Sequence, residues 1–188
     1  MKRNGPCWCG SKRKWKYCHY PKTPEVSREA RRQHYATQYN IILKTPEQHK
    51  KIRHACRITR KILDELCKAS QKGVTTEELD QYSRELHKKY DAIPAPLNYG
   101  SPPFPKTICT SLNEVICHGI PNSIPLQEGD IMNIDVSCIV DGYYGDCSQM
   151  VMIGEVSEEK KLVCQASLEC LNEAIAILKP DLPLCKIG

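Results

Sequence analysis

The feature that most constrains this chain is the segment NIDVSCIVDGYYGDCSQM at residues 133–150, where two strand-like runs flank an Asp-Gly pair. Asp141 and Gly142 form the preferred dipeptide of a two-residue type I′ turn, which predicts an antiparallel hairpin with Val140 opposite Tyr143. Because side chains alternate along a strand, this register divides the hairpin into a mostly polar and a mostly apolar face. We expect the apolar face to pack against helices.

The polar face of the predicted hairpin carries Asp135 and Asp146 as diagonal neighbours. Strands usually exclude aspartate, and diagonal positions lie about 7–8 Å apart, so the two carboxylates can converge. Two like charges at this spacing destabilise a sheet unless water or a cation screens them. The residues alone leave two interpretations open. The face is either a solvated surface of Asp and Ser side chains, or a site for two divalent metal ions about 3.5–4 Å apart.

Helical patterns surround the hairpin. A helix should begin after Thr45 and end at Gly73, because apolar residues recur there at helical spacing and glycine favours the left-handed end position. A second helix should begin at Thr75, because Thr75 and Glu78 have capping-box spacing. A third should begin near Ser157. The order helix, helix, strands, helix indicates an α+β fold.

The first twenty residues are rich in cysteine, aromatic and basic residues. The spacing C-x-C-x8-C-H brings together Cys7, Cys9, Cys18 and His19. Three thiolates and one imidazole can form a closed tetrahedral zinc site, and so short a module needs a metal in place of a hydrophobic core. The alternative is that these are four unrelated reduced residues in a floppy tail.

Charge is distributed unevenly along the chain. Residues 1–60 contain 16 Lys and Arg against three acidic residues, whereas the remainder contains 11 against 19. This basic arm suits a polyanion such as RNA, although a protein-binding surface or a solvated arm explains the same composition. Within it, residues 21–45 have the pattern of a basic, partly helical linker. Neither a signal peptide nor a membrane span is recognisable, so we expect a cytoplasmic protein with reduced cysteines and no membrane contact.

The segments TSLNEVICHGIP and EGDIMNIDVSCIVDGYYGDCSQM closely resemble the type I methionine aminopeptidases, from about Glu47 to the last residue. The resemblance implies that residues 46–188 form the N-terminal half of a pita-bread α+β fold, with NEVICHGIP as a buried strand. It also implies a dinuclear site of two Asp, one His and two Glu that holds divalent Co, Mn, Fe or Zn. Asp135 and Asp146 match the two aspartates, and His118 matches the histidine that contacts the substrate.

Two further segments carry a resemblance. PLNYGSPPFPK resembles the loop that lines the methionine side-chain pocket, with Tyr99 and Phe104 at its aromatic positions; the alternative is that these two rings plug the hydrophobic core. The module at residues 1–20 resembles the SEC-C motif, which implies one structural zinc ion.

The function implied by this resemblance is metal-dependent removal of the initiator methionine from nascent polypeptides. We expect a monomer whose basic N-terminal region docks on ribosomal RNA. The family's remaining His and two Glu ligands have no match here, so the sequence resembles a truncated catalytic domain, and the chain alone should lack part of the site and be inactive. The alternative is a catalytically dead pita-bread protein that binds peptide or ribosomal RNA. Retention of Asp135, Asp146 and His118 favours the enzyme.

Overall fold

The computed structural model describes residues 2–7, 11–21, 27–180 and 182–188. The chain divides into two compact units, Met1–Thr45 and Pro46–Gly188. Among the described residues, no helix combines the length and the apolar character that a membrane span requires.

The described residues of the N-terminal unit form a tight cysteine-bearing turn and one α-helix. The turn is built around the 3-10 helix Trp15–Tyr17, in which the ring of Trp15 is buried and contacts the ring of Tyr20 edge-on at 5.3 Å. Helix α1 spans Arg28–Tyr39 and begins at Ser27, whose hydroxyl accepts a hydrogen bond from the amide of Ala30. None of the described residues of α1 is buried. The side chain of Arg32 is half-buried and donates to the Leu43 carbonyl at 3.1 Å, whereas the other residues of α1 are exposed.

In the described part of the C-terminal unit, three α-helices lie at the positions that the sequence predicts. They are α2 at Pro46–Ala69, α3 at Thr76–Lys89 and α4 at Glu158–Ile177. The predicted capping box of α3 is confirmed, since the Thr75 hydroxyl accepts from the Glu78 amide at 3.1 Å and the Glu78 carboxylate accepts from the Thr75 amide at 2.7 Å. These bonds satisfy amide groups that the first turn of a helix leaves without partners.

The sheet is antiparallel throughout. Its strands are β1 at Ile93–Pro94, β2 at Cys109–Leu112, β3 at Ile131–Val140 and β4 at Tyr143–Met152. β4 pairs along the whole of one edge of β3, while β1 and β2 share the other edge. The predicted hairpin register is confirmed, with Val140 opposite Tyr143. Asp141 and Gly142 both have positive φ, at 51° and 77°, as a type I′ turn requires.

The hydrophobic core lies between α2, α3 and the apolar face of the sheet. Its buried side chains include Ile62, Leu63 and Leu66 of α2, Leu79 and Leu86 of α3, and Met132, Ile134, Val136 and Val140 of β3. The inward residues of β3 alternate with half-exposed ones, as the sequence predicts. Packing thus leaves the polar face of the hairpin open on the side away from α2.

The buried strand expected for NEVICHGIP, residues 113–121, is wrong, because β2 ends at Leu112. The chain leaves the sheet at Asn113, whose φ of 49° lies in the left-handed region and is incompatible with an extended strand. Ile116 is 94% exposed, so the apolar residues of this segment do not face the core. NEVICHGIP is therefore a surface loop that starts and ends near β2, and its histidine is carried by that loop.

Candidate metal centre

A cavity of about 620 Å³ opens on the polar face of the hairpin. Its lining includes Asp135 and Asp146, which come from β3 and β4. His118, Tyr99 and Phe104 line the same cavity from two separate loops. The structure therefore brings together all five residues that the sequence singled out for this site.

The hairpin register fixes the two aspartates on one face. Asp135 lies opposite Ser148, and Asp146 lies opposite Ser137, so the aspartates are diagonal neighbours. The Ser137 hydroxyl donates a 2.6 Å hydrogen bond to Oδ1 of Asp146. This charge-assisted bond holds one carboxylate oxygen and leaves the other available for a ligand.

The electrostatics of the cavity favour a cation. Partial burial and the negative charge of Asp146 raise the pKa of Asp135, while the imidazole of His118 lowers it. The pKa of the buried Cys109 thiol is raised to about 11, first because of desolvation and next because of the charge of Asp135. An environment that disfavours negative charge on Asp135 and Cys109 stabilises a divalent cation.

His118 reaches the cavity because its loop folds back onto β2. The carbonyl of Gly119 accepts from the Thr110 amide at 2.8 Å, and the amide of Gly119 donates to the Ser111 hydroxyl at 3.1 Å. A Cβ at position 119 would lie 2.7 Å from the Thr110 carbonyl carbon, so only glycine permits this approach. His118 itself has φ of 55°, a left-handed conformation that these flanking bonds sustain.

The loop of residues 95–106 forms another wall of the cavity. The amide of Asn98 donates to the Phe104 carbonyl, and the amide of Phe104 donates to the Tyr99 carbonyl, each at 2.8 Å, so the loop closes on itself. Tyr99 is 77% exposed, and neither ring belongs to the buried core. The alternative that these rings plug the core is therefore wrong, because both face the cavity.

Sequence reasoning missed one buried residue of this lining. Cys109 on β2 pairs with Asp135 on β3 and shares its face. The pairing of β2 with β3 is long-range and has no local turn to reveal it. Alternation along a correctly bounded β2 was the one signal that could have identified this cysteine.

The residues present fit divalent metal ions. Carboxylate oxygens with a neighbouring imidazole are donors that Mn, Fe, Co and Zn ions accept. Asp135 and Asp146 supply carboxylates from two paired strands, so their spacing is fixed by sheet geometry. The remaining His and two Glu ligands of the resembled family correspond to no residue identified in this chain.

A second cluster of donor atoms lies in the N-terminal unit. One ligand atom each of Cys7, Cys18 and His19 lies within 4.8 Å of the others. The Cys7 Sγ is 3.3 Å from His19 Nδ1. The predicted fourth ligand, Cys9, lies outside the described residues. Two thiols and an imidazole at these distances fit the donor set of a tetrahedral zinc ion.

Comparison with known proteins assigns a family pattern to each of the two units. The pattern of metallopeptidase family M24 matches residues 50–188, and the pattern of the SEC-C motif matches residues 3–21. A methionine aminopeptidase of Chlamydia pneumoniae is 79% identical over all of this chain, which covers 65% of that protein. The chain thus spans slightly less than two thirds of the length of this curated relative.

Solved structures give the same assignment for the fold. The methionine aminopeptidase of Rickettsia prowazekii aligns with a TM-score of 0.69 and 41% identity, over 72% of this chain and 54% of that one. The methionine aminopeptidase of Thermotoga maritima aligns with a TM-score of 0.70 and 31% identity, over 74% and 56%. The expected pita-bread α+β fold is confirmed. This chain belongs to metallopeptidase family M24 and carries an SEC-C motif ahead of its M24 region.

Proposed function

We propose that the protein to which this chain belongs is a methionine aminopeptidase that removes the initiator methionine from nascent polypeptides in the cytoplasm. The observation that carries the proposal is the convergence of Asp135 and Asp146 on a cavity lined by His118 and an apolar loop. The methionine aminopeptidases of similar sequence support the same substrate. A dead binding protein is not favoured, because it has no need of both carboxylates and the histidine.

The residues of this chain have separate roles in the proposed reaction. Asp135 and Asp146 would hold divalent ions, which supply Lewis acidity toward the scissile carbonyl when bound. Ser137 fixes the orientation of Asp146 through its 2.6 Å hydrogen bond. His118 contacts the peptide beside the scissile amide from the rim of the cavity. The catalytic metal is Co, Mn, Fe or Zn.

The loop of residues 95–106 supplies the methionine pocket. Tyr99 and Phe104 line the cavity together with Ala95, Pro96 and Pro102, so this wall is largely apolar. An apolar wall with aromatic rings suits the flexible, polarisable thioether of methionine. A charged or short first side chain gains little from such a wall, and the enzyme therefore selects peptides that begin with methionine.

The proposal is tested by assaying the protein as it is encoded, including any residues beyond Gly188. With Mn²⁺ or Co²⁺ added, the protein should release methionine from Met-Ala-Ser but no residue from Glu-Ala-Ser. Asp146→Asn should abolish release, whereas Ser148→Ala, a neutral change on the same face, should retain it. Absence of release by a wild-type protein that has bound its metal ions would refute the proposed function.

For the N-terminal unit we propose one structural zinc ion and docking on ribosomal RNA. The supporting observation is that Lys12, Arg13 and Lys14 are exposed beside the cysteine cluster. Reversing these three charges should reduce co-sedimentation with ribosomes and flatten its dependence on salt, because phosphate contacts release counterions. The matched control reverses three exposed charges of α2, Lys50, Arg53 and Arg57. Equal pelleting of both triple variants would contradict RNA docking by this unit.

A further inference from the structure

The loop of residues 95–106 ends on a buried carboxylate of α3. The amide and the hydroxyl of Thr107 both donate to Oδ1 of Asp80, at 2.6 and 2.7 Å. Asp80 is 1% exposed, and its other oxygen accepts two bonds from Arg84 at 3.0 and 3.1 Å. A buried carboxylate fixed on both oxygens makes a strong and directional anchor.

Two more residues of α3 hold the same end of the loop. The hydroxyls of Ser83 and Thr107 lie 3.0 Å apart, and Lys106 forms an ion pair with Glu77. Thr107 lies two residues before Cys109, the first residue of β2. The position of α3 therefore determines where the loop of residues 95–106 ends and where β2 begins.

The loop that carries His118 ends on the same helix. The amide of Asn122 donates to the Thr76 hydroxyl at 2.8 Å, and that hydroxyl lies 3.1 Å from the Asn122 carbonyl. The Asn122 carbonyl also accepts from the amide of Glu77 at 2.8 Å. Thr76 is buried whereas Asn122 is exposed, so these bonds are partly shielded from water. Both cavity loops are thus anchored within the first five residues of α3, Thr76–Asp80.

We propose that Asp80 and Thr76 are positioning residues, which hold the pocket loop and the His118 loop respectively against one rigid helix. This inference rests on the proposed peptidase function for its kinetic consequence. Neither side chain lines the cavity, so each acts only through the loop that it anchors. A displacement of reacting groups by about 1 Å can cost roughly a hundredfold in rate. Anchors at the loop ends therefore influence substrate binding and turnover from a distance.

Substitutions that remove the two anchors should have distinguishable effects on hydrogen exchange and on kinetics. Thr107→Val removes the hydroxyl that Asp80 holds, and Thr76→Val removes the hydroxyl that holds Asn122, while both changes keep the side-chain volume. Ser70→Ala is the matched control, because its buried hydroxyl donates to the Leu66 carbonyl at the end of α2 and so holds neither cavity loop. Each variant is made in the protein as encoded, loaded with Mn²⁺, and measured by hydrogen exchange with mass spectrometry and by methionine release.

We expect Thr107→Val to accelerate exchange in residues 95–107 only, and to raise KM for Met-Ala-Ser about tenfold with kcat nearly unchanged, as loss of one buried hydrogen bond implies. Thr76→Val should accelerate exchange in residues 113–122 only and lower kcat, because His118 is displaced. Ser70→Ala should change neither loop nor the kinetics.

Unchanged exchange in both loops would overturn the proposal, and so would faster exchange spread over α2 and β3, which indicates a merely structural role. Unchanged KM and kcat in an active protein would overturn it as well. If the wild-type protein releases no methionine, the peptidase proposal fails. In that event, faster exchange confined to the anchored loop still supports the positioning roles. Faster exchange that extends beyond this loop still overturns them.

Discussion

At the residue scale, Asp135 is a carboxylate whose environment disfavours its charge. Its pKa is raised by partial burial and by Asp146, so folding disfavours its ionised form at neutral pH. Asp135→Asn should therefore increase the free energy of unfolding of the metal-free protein. The same change should remove the stabilisation by Mn²⁺, which is about 2.7 kcal/mol at a hundredfold excess over Kd.

Thermal denaturation with and without Mn²⁺ measures both effects of this substitution. The matched control is Asp141→Asn, which removes the same charge from the turn of the hairpin and should preserve the response to metal. A metal response in Asp135→Asn equal to that of the wild type would rule out this carboxylate as a ligand.

His87 gives a second prediction at this scale. It is buried, its Nδ1 donates to the Ser83 carbonyl at 2.8 Å, and its Nε2 has no hydrogen-bond partner among the described residues. Desolvation lowers the pKa of His87 against the opposing effects of Ser83 and Asp80. A histidine with a lowered folded pKa contributes stability above its unfolded pKa of about 6.5, and that stability is lost as pH falls through the folded pKa.

Denaturation in urea at several pH values between 7.5 and 5 tests this dependence. The free energy of unfolding should decrease with falling pH in the wild-type protein and decrease less in His87→Gln. The exposed His54 on α2 provides the control, because His54→Gln should leave the slope unchanged. Identical slopes for wild type and His87→Gln would contradict the assignment.

Single residues also show what could be read from the sequence. Asp135 and Asp146 were predictable because both sit in one hairpin whose turn residues fix the register. Asp80 and Thr107 were not, because they are 27 positions apart and meet only when α3 packs against the segment that precedes β2. Local rules identify residues that share an element, and tertiary packing decides which separate elements meet.

At the element scale, the hairpin and the helices were predictable, whereas the strand expected for residues 113–121 does not form. Asp-Gly and the capping box carry local signals of fixed geometry, and both features form as expected. The segment after Leu112 has strand-like composition, but Asn113 turns the chain away from the sheet. Composition alone does not report a single left-handed residue, so the loop that carries His118 was mistaken for a strand.

Gly145 gives the prediction that belongs to this scale. It lies on β4 beneath α2, and a Cβ there would lie 2.6 Å from the carbonyl carbon of Ala55. Gly145→Ala should push α2 away from the sheet and destabilise the protein by about 1–3 kcal/mol, the usual cost of overpacking. Urea denaturation measures the change, and Gly188→Ala, which meets open space, is the control. A decrease in the free energy of unfolding of less than about 0.5 kcal/mol, as surface substitutions usually cause, would contradict this packing.

At the scale of the whole molecule, the two units differ in what stabilises them. Pro46–Gly188 has a hydrophobic core of helices on a sheet, whereas among the described residues of the N-terminal turn only Cys7 and Trp15 are buried. Zinc bound by Cys and His ligands contributes about 10–16 kcal/mol in comparable short modules, enough to replace a core. The spacing of the cysteines predicted this cluster, although the position of Cys9 is outside the described residues.

Cys18→Ser should therefore remove one equivalent of zinc per chain and leave the unfolding midpoint of the larger unit unchanged. Elemental analysis and denaturation monitored in parallel check both parts. Cys170→Ser, at an exposed cysteine of α4, is the control and should keep its zinc. Equal zinc content in the two variants would exclude Cys18 as a ligand.

We propose that the polar face of the hairpin holds the metal ions of an M24 peptidase. Anomalous diffraction from crystals of the encoded protein grown with Mn²⁺ locates these ions. We expect two peaks about 3.5–4 Å apart, within bonding distance of the carboxylates of Asp135 and Asp146. Peaks elsewhere in the molecule, with neither aspartate in contact with a metal ion, would contradict this proposal.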